Sequence, residues 1–342
     1  MNALVQLTAQ HMVELLKKRE ITPVEAVEAA VDRIGEVDGA VNALPTLAVE
    51  RAHAHAWSLM NAAQPNDPPR GYLYGLPVAI KDLKDVEGVR STKGSPIFAN
   101  HIPAKSDYLV ANIEAKGGIV LAKSNTPEFG AGANTFNEVF GKTRNPWDTS
   151  KTCGGSSGGS AVALATGQVW LATGSDLGGS LRIPASFCSV VGMRPSPGRV
   201  PHGPKDLPFS TLSVEGPMAR TIGDLALFLD TQAHRSAIDP LSIPAPTTAF
   251  VDAVRKPRAP ERIAYTPDLG IAPVDIEIAD ICATAARKFE QSGAIIDEAT
   301  INLQGAEETF QTLRAAQFAA QFNQLLVENR HQLKPEVIWN IE

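Results

Sequence analysis

The stretch GGSSGGSAVALATGQVWLATGSDLGGSLR, residues 154–182, contains the features that decide the fold. Small residues dominate its two ends, residues 154–160 and 174–180, and each end carries serines. Between them, residues 161–166 are expected to form a helix and residues 169–173 a buried strand, because both are short apolar runs bounded by punctuating residues. Residues 174–179 are expected to break regular structure again. We therefore predict a loop, a helix, a strand and a second loop in succession.

The flanking sequence extends this alternation. Residues 76–80 and 119–123 are apolar runs expected to form buried strands, and residues 107–116 between them are expected to be a helix. Nearer the N-terminus, Thr22-Pro23-Val24-Glu25 has the residues of a capping box, so a helix is predicted to begin there. This pattern of strands alternating with helices favours an α/β sheet core.

Composition narrows the function classes. The chain has 342 residues, of which 44% are hydrophobic and 20% charged, as is typical of a globular protein with a sizeable core. Its formal net charge of −6 argues against nucleic acid as the main ligand. No signal peptide and no apolar run long enough to span a membrane is recognised, so we expect neither membrane contact nor export. The three cysteines are scattered along the sequence, which favours a reducing, cytoplasmic compartment. The sequence has no HExxH motif, so we expect neither a metal nor another cofactor.

The first small-residue run, residues 154–160, has several interpretations on its own. A flexible linker is disfavoured because predicted helices and strands lie close on both sides. A phosphate-binding loop built from backbone N–H groups lacks the Gly-Lys-Ser/Thr ending of a P-loop. The G-x-S-x-G elbow of α/β-hydrolases matches at Gly154, Ser156 and Gly158, but this short pattern is easily met by chance in such a run. The residues alone leave these alternatives open.

Two further signals each have two interpretations: the residues around Ser180 form either a plain tight turn or a catalytic loop, and Lys81 is either an ordinary surface lysine at a strand end or a buried base. Small residues around Ser180 leave its hydroxyl open, and successive backbone N–H groups beside it are able to stabilise a developing oxyanion. Lys81 closes a buried apolar strand, which is unusual for a lysine. In a desolvated site its neutral amine is favoured, so it is able to act as a base.

Together these residues resemble the amidase signature family, whose members use a Ser–Ser–Lys triad. The resemblance covers essentially the whole chain, and its core signature continues without a break across residues 155–184. Lys81 stands in the Lys-Asp position of the family. Further matching segments are Lys123-Ser124-Asn125-Thr126-Pro127-Glu128, Phe140-Gly141, Asn145-Pro146-Trp147 and Gly216-Pro217-Met218-Ala219-Arg220-Thr221.

The resemblance implies a role for each residue of the site. Ser180 is expected to be the nucleophile, Ser156 the bridging serine and Lys81 the base, with the peptide bond between Gly155 and Ser156 in the cis form. The remaining roles implied are an oxyanion hole at Leu177, Gly178 and Gly179, a supporting shell of Gly155, Ser157, Asp176 and Arg182, and an acyl-binding segment of Phe129, Gly130 and Ala131. Simple packing is the alternative for the acyl-binding segment, and an ordinary surface charge for Asp176 and Arg182.

The implied fold is the amidase signature fold, a large mixed β-sheet flanked by helices on both sides (α/β/α). We expect one amidase domain over residues 1–342, with N-terminal helices in residues 1–65, a catalytic core in 70–235, a connecting segment in 236–260 and a C-terminal α/β part in 261–342. Relatives usually continue past this point, so the C-terminal part is expected to be truncated. Family members are often dimers, which makes a homodimer the expected assembly.

Three functions remain in competition. The first is a free-standing amidase that hydrolyses a small-molecule amide to the acid and ammonia or an amine. The second is the glutaminase component of a tRNA-dependent amidotransferase; it is disfavoured because Ser196-Pro197-Gly198-Arg199-Val200-Pro201 differs from the Tyr-Gly-Arg-Val-Ser pattern expected there. The third is an inactive fragment that keeps only the scaffold.

Overall fold

A six-stranded mixed sheet organises the computed structural model, which describes residues 2–203 and 206–342. The strands run in the spatial order β1-β3-β2-β6-β8-β7. Strands β3, β2 and β6 are mutually parallel, whereas β1, β8 and β7 pair antiparallel with their neighbours. Their bounds are β1 Thr46–Leu47, β2 Pro77–Lys81, β3 Ile119–Ser124, β6 Leu171–Asp176, β7 Val191–Gly192 and β8 Val214–Ala219. A separate hairpin is formed by β4 Phe136–Asn137 and β5 Gly141–Lys142.

The long strands are buried at every position, as parallel strands covered by helices usually are. The predicted strands at residues 76–80, 119–123 and 169–173 correspond to β2, β3 and β6. The expectation that Gly174 begins a break is wrong, because β6 continues to Asp176. Gly174 is required by close packing instead: a Cβ there would lie 2.4 Å from Leu181 Cδ2.

Helices pack against this sheet and confirm the predicted α/β class. Glu25 N donates to Thr22 Oγ1 at 3.2 Å and Thr22 N donates to Glu25 Oε2 at 2.7 Å, so the predicted capping box forms at the start of α2. The helices are α1 Ala9–Lys18, α2 Pro23–Val41, α3 Val49–Asn61, α4 Tyr108–Ala115, α5 Gly158–Ala165, α6 Arg182–Cys188, α7 Ile222–Gln232 and α8 Phe250–Arg255. Helix α8 lies within the stretch 236–260 that the sequence suggested as a connection, and Asp230 accepts hydrogen bonds from Phe250 N and Val251 N at its start.

The chain divides into two compact units, Met1–Val254 with Gln317–Glu342, and Arg255–Ala316. The second unit contains the parallel pair β9 Arg262–Tyr265 and β10 Ile295–Glu298 together with α9 Ile276–Arg287. Helix α10, Ala306–Asn329, begins in the second unit and ends in the first, and α11, Pro335–Ile341, belongs to the first. A single domain over the whole chain stays a prediction. Within residues 2–203 and 206–342, no helix has both the length and the apolar character needed to cross a lipid bilayer.

Helix α5 connects the two glycine-rich loops and is almost completely buried. It contacts strands β2, β3, β6 and β8 through the core of the first unit. Gly159 makes this approach possible, since a Cβ at this position would lie 2.3 Å from Asn125 N and 2.6 Å from Ala43 O. Both of those atoms are backbone, so they are unable to move aside cheaply.

We expect Gly159→Ala to destabilise the protein by about 1–3 kcal/mol, because the added methyl group overlaps backbone atoms that follow β3 and α2. Gly35→Ala is the matched control: Gly35 is also helical, but its substitution meets no atom within 4 Å. That control should stabilise the protein by roughly 0.5–1 kcal/mol through helix propensity. Urea unfolding monitored by circular dichroism measures both, and equal effects of the two substitutions would contradict the packing argument.

Candidate active site

Lys81 occupies the last position of β2, with only 1% of its surface exposed. Its Nζ donates to Ser156 Oγ at 2.7 Å, Ser157 Oγ at 2.9 Å and Ser175 Oγ at 3.0 Å. Its backbone N–H donates to Thr173 Oγ1 on the neighbouring strand β6 at 2.9 Å. The strand therefore delivers a lysine amine into a small buried cluster of serine hydroxyl groups.

Burial determines the ionisation of Lys81. Loss of hydration lowers the pKa of its ammonium to about 7, while the charges of Glu215 and Asp176 oppose that shift and Lys84 adds to it. Hydroxyl groups compensate a buried charge less well than a carboxylate does. A large share of Lys81 is therefore in the neutral amine form at neutral pH.

The loop that carries Ser156 and Ser157 is fixed against the second glycine-rich loop. The peptide bond between Gly155 and Ser156 is cis. Ser157 N donates to Ser180 O at 3.1 Å, and Ser157 Oγ donates to Ser175 O at 3.3 Å. Ser156 and Ser157 are buried, so both hydroxyl groups lie inside the molecule beside Lys81.

Ser180 lies in the short connection between β6 and α6 and is half-buried. Its backbone carbonyl joins the loop of Ser157, but its hydroxyl makes no hydrogen bond to another residue in the described part of the chain. The structure therefore brings Lys81 and Ser156 into direct contact. It brings Ser180 beside them through the backbone, with the hydroxyl available.

The carboxylate of Asp176 stabilises the connection between β6 and α6 by accepting hydrogen bonds from it. Burial alone would favour its protonated form, but hydrogen bonds from Arg182, Gly179 N and Leu181 N outweigh burial and lower its pKa to about 2. Arg182 Nε donates to Asp176 Oδ2 at 3.0 Å and its other nitrogen to Oδ1 at 3.1 Å, so the predicted pair is present. Arg194 adds contacts to the carboxylate and to the backbone carbonyl of Asp176.

The predicted oxyanion-hole residues differ in whether their backbone N–H groups already donate a hydrogen bond within the protein. Gly179 N donates to Asp176 Oδ1 at 2.8 Å, so this N–H is engaged inside the loop. The N–H groups of Leu177 and Gly178 donate to no other residue within 2–203 and 206–342, and the same is true of Ser180 N.

The segment Phe129, Gly130 and Ala131 lies directly beside Ser156. A Cβ at Gly130 would lie 3.4 Å from Ser156 Oγ, so a glycine keeps the space next to this hydroxyl open. Phe129 and Ala131 belong to a buried apolar cluster formed with the end of α10 and with α11. The other buried members of this apolar cluster are Phe318, Leu333, Val337 and Ile341. Partly buried side chains that pack against the cluster are Ile97, Phe98, Leu177, Phe322, Leu325, Leu326 and Ile338.

Polar contacts fix the last residues of the chain on this segment. Lys334 Nζ donates to Ala131 O at 2.5 Å, and Lys334 N donates to Glu128 Oε2 at 2.9 Å. The ring of Phe129 lies 4.6 Å from that of Phe322, centroid to centroid. The apolar cluster is thus fixed on the segment that adjoins Ser156, and Leu177 packs against it.

Some residues of the site escaped sequence reasoning. Ser175 contacts Lys81, Arg194 binds Asp176, and Glu215 lies opposite Ser175 in the β6–β8 pair. A signal for Ser175 existed: it nears the end of a strand parallel to β2, and the carboxyl ends of neighbouring parallel strands meet at one edge. Arg194 and Glu215 gave no local signal, because each reaches the site from a distant segment.

Cys153 and Cys188 are buried and free, and burial raises the pKa of Cys153 to about 12 and that of Cys188 further above its usual range. Both thiols therefore stay protonated and do not compete with serine as a nucleophile. No group of His, Cys, Asp and Glu side chains suited to a metal ion is found among the residues that the structure describes.

Asp176→Asn should weaken the dependence of stability on acid pH. The pKa of Asp176 is depressed in the folded state, so its ionisation stabilises the fold above about pH 4, the usual value for an unfolded aspartate. That contribution is lost as the pH falls from about 4 towards 2. The urea midpoint of the wild type should therefore decline more steeply than that of Asp176→Asn across this window. Parallel curves would contradict an ionised, paired Asp176.

Comparisons with known proteins agree with this arrangement. The Amidase family model matches residues 25–340. The chain is 38% identical over 298 residues to the A-type subunit of the glutamyl-tRNA(Gln) amidotransferase of Moorella thermoacetica, covering 87% of this chain and 61% of that protein. It is 36% identical over 294 residues to an acylamidase of Rhodococcus erythropolis, covering 86% of this chain and 61% of that protein.

A solved structure of a bacterial aryl acylamidase superposes with a TM-score of 0.89 at 30% identity, covering 98% of this chain and 71% of that one. The chain spans about three fifths of the length of the two curated relatives, since the match covers 61% of each. The matched family model extends from within α2 to within α11, so it includes every residue of the Lys81 site. The chain belongs to the amidase signature family.

Proposed function

We propose that this protein is an amidase that hydrolyses a carboxylic acid amide to the acid and ammonia or an amine through an acyl-enzyme on Ser180. The observation that carries the proposal is the buried amine of Lys81, 2.7 Å from Ser156 Oγ, beside the loop of Ser180. Membership of the amidase signature family supports the same class of reaction.

Lys81 has the properties of a general base at neutral pH. A pKa of about 7 leaves enough neutral amine to accept a proton, and the resulting ammonium is acidic enough to return it. Three serine hydroxyl oxygens lie within 3.0 Å of Lys81 Nζ, so the neutral amine is able to donate to Ser157 and Ser175 and to accept a hydrogen bond from Ser156 Oγ.

Ser156 acts as the relay and Ser180 as the nucleophile. Ser180 Oγ forms a bond to the amide carbon while its proton passes to Ser156 Oγ, and the proton of Ser156 passes to Lys81 Nζ. The tetrahedral intermediate then breaks its C–N bond, and the leaving nitrogen takes a proton back through Ser156. Water attacks the acyl-enzyme with the same relay, which releases the acid and regenerates Ser180.

Backbone donors of the Ser180 loop stabilise the oxyanion of the intermediate. Leu177, Gly178 and Ser180 have N–H groups without an acceptor in the described part of the chain, whereas that of Gly179 is taken by Asp176. The Asp176 carboxylate, fixed by Arg182, keeps the loop in this conformation, so the donors are oriented before the substrate binds.

The apolar cluster around Phe129 favours an apolar acyl group. Phe129 belongs to this cluster and directly precedes Gly130, which lies beside Ser156 Oγ. Leu177 packs against the cluster and stands three residues before Ser180. Burial of an alkyl or aryl group against this cluster is favourable, whereas the charged α-amino and carboxylate groups of glutamine find few partners there. The similarity to an aryl acylamidase supports this choice.

A glutaminase that serves a tRNA-dependent amidotransferase is the second candidate function. The 38% identity to the A-type component of such an enzyme favours it. Both functions use the same Ser180 chemistry, so the acyl substrate discriminates between them.

A fluorophosphonate probe tests the nucleophile. We expect the wild type to be labelled at Ser180 and Ser180→Ala to show no labelling. Ser156→Ala and Lys81→Met should slow labelling by roughly 100-fold or more, because the base no longer receives the proton. Ser186→Ala, a substitution at an exposed serine of α6, is the matched control and should label normally. A folded wild-type protein that resists labelling would indicate an inactive scaffold.

A series of amides tests the substrate class. From acetamide to butyramide, kcat/KM should rise about fourfold for each added methylene, the value expected when about 0.8 kcal/mol is gained per buried CH₂. Benzamide and anilides should exceed glutamine by at least about tenfold. Preferred hydrolysis of glutamine, with ammonia release stimulated by partner proteins, would reverse the choice in favour of the glutaminase.

A further inference from the structure

A second buried cluster of ionisable side chains lies next to Lys81 and has no part in the proton relay described above. Lys84 Nζ lies 2.9 Å from Glu215 Oε1 and 3.1 Å from His202 Nε2. His202 Nε2 in turn lies 3.5 Å from Glu215 Oε1. The side chains of Lys84 and Glu215 are only 13% and 4% exposed and that of His202 is 22% exposed, so most of this triangle is shielded from solvent.

This cluster is connected to Lys81 by two routes. Lys84 N donates to the backbone carbonyl of Lys81 at 3.0 Å, in the turn that ends β2. Glu215 lies directly opposite Ser175 in the antiparallel pair of β6 and β8, and Ser175 Oγ accepts from Lys81 Nζ at 3.0 Å. The cluster and Lys81 are therefore neighbours in a fixed geometry.

The charges of the cluster act on Lys81 in opposite directions. The carboxylate of Glu215 stabilises an ammonium at Lys81, whereas the ammonium of Lys84 stabilises the neutral amine. An ammonium has only donors to offer, so His202 Nε2 accepts in its contact with Lys84. Other charged groups of the described residues also act on the two lysines. Asp176 on β6, held by Arg182 and Arg194, favours the ammonium of Lys81, whereas Asp107, 3.9 Å from Lys84 Nζ, and Asp85 favour the ammonium of Lys84.

We propose that Glu215 and Lys84 are positioning residues that together set how strongly Lys81 holds the proton it takes from Ser156. Glu215 strengthens that hold and Lys84 limits it. The catalytic consequence rests on the proposed amidase function, because a general base must both accept a proton and return it. The electrostatic control itself does not require turnover, so it is measurable in a folded protein whatever its activity.

Titration of Lys81 by NMR tests the proposal. The protein is labelled with ¹³C at lysine Cε, and the Lys81 signal is assigned by its loss in Lys81→Met. Glu215→Gln should move the titration midpoint of Lys81 to lower pH, and Lys84→Met should move it to higher pH, each by about half a pH unit or more. The double variant should return towards the wild type, because the two charges oppose each other. In an active enzyme, the acid limb of kcat/KM against pH should move in step.

Lys18→Met is the matched control: it removes a lysine charge at a side chain that is 61% exposed, and it should leave the midpoint unchanged. Midpoints that stay at the wild-type value in folded Glu215→Gln and Lys84→Met, or that move in the same direction, would overturn the proposal. If Glu215→Gln fails to fold, a folded Lys84→Met decides alone, since a midpoint at or below that of the wild type contradicts the assigned role. Opposite shifts in a protein inert towards amides would reject the proposed function and keep the electrostatic control.

Discussion

The buried amine of Lys81, surrounded by hydroxyl groups, is the constraint on which the arrangement of the site depends. A lysine that loses its hydration without gaining a carboxylate favours its neutral form. Three segments must therefore converge on one nitrogen: the end of β2, the loop of Ser156 and Ser157, and Ser175 near the end of β6. Their convergence requires the parallel pairing of β2 and β6, which places both strand ends at one edge of the sheet.

Lys123, a second buried lysine in the same sheet, differs from Lys81 in having a carboxylate as its partner. Lys123 on β3 is fully buried, but its Nζ lies 2.5 Å from Asp82 Oδ1 and 2.9 Å from Ser91 Oγ. Asp82 directly follows Lys81, and successive residues of an extended chain point to opposite sides. Adjacent residues of one segment thus serve two clusters. Burial lowers the pKa of Lys123 as well, but the Asp82 carboxylate opposes that shift by direct contact, whereas no carboxylate among the described residues reaches ion-pair distance of Lys81 Nζ.

The two glycine-rich segments, residues 154–160 and 174–180, differ in what their small residues accomplish. In the first, Gly158 and Gly159 allow α5 to approach β3 and the β4–β5 region without overlap. In the second, Gly174 permits packing of Leu181, and the Asp176 carboxylate holds the chain through Gly179 N, Leu181 N and Arg182. Close packing, more than flexibility, explains these glycines, and it gives the serines between them defined positions.

Several elements of the fold and several residues of the site were determined by the sequence itself. The apolar runs predicted β2, β3 and β6, and Thr22 and Glu25 predicted the start of α2. For the lysine at the end of a buried strand, the residues alone left a surface position and a desolvated amine both open, and the resemblance to the amidase signature family favoured the second. The pair of Asp176 and Arg182 was also predictable, since the two stand only six positions apart around a tight loop. Such features depend on local propensity and on neighbours along the chain, which the sequence displays directly.

Only the tertiary structure decided that Ser175 contacts Lys81, that Arg194 and Glu215 reach the site, and that Phe129 packs against α10 and α11. Those contacts follow from strand order and helix docking, and local sequence does not specify which distant segments become neighbours.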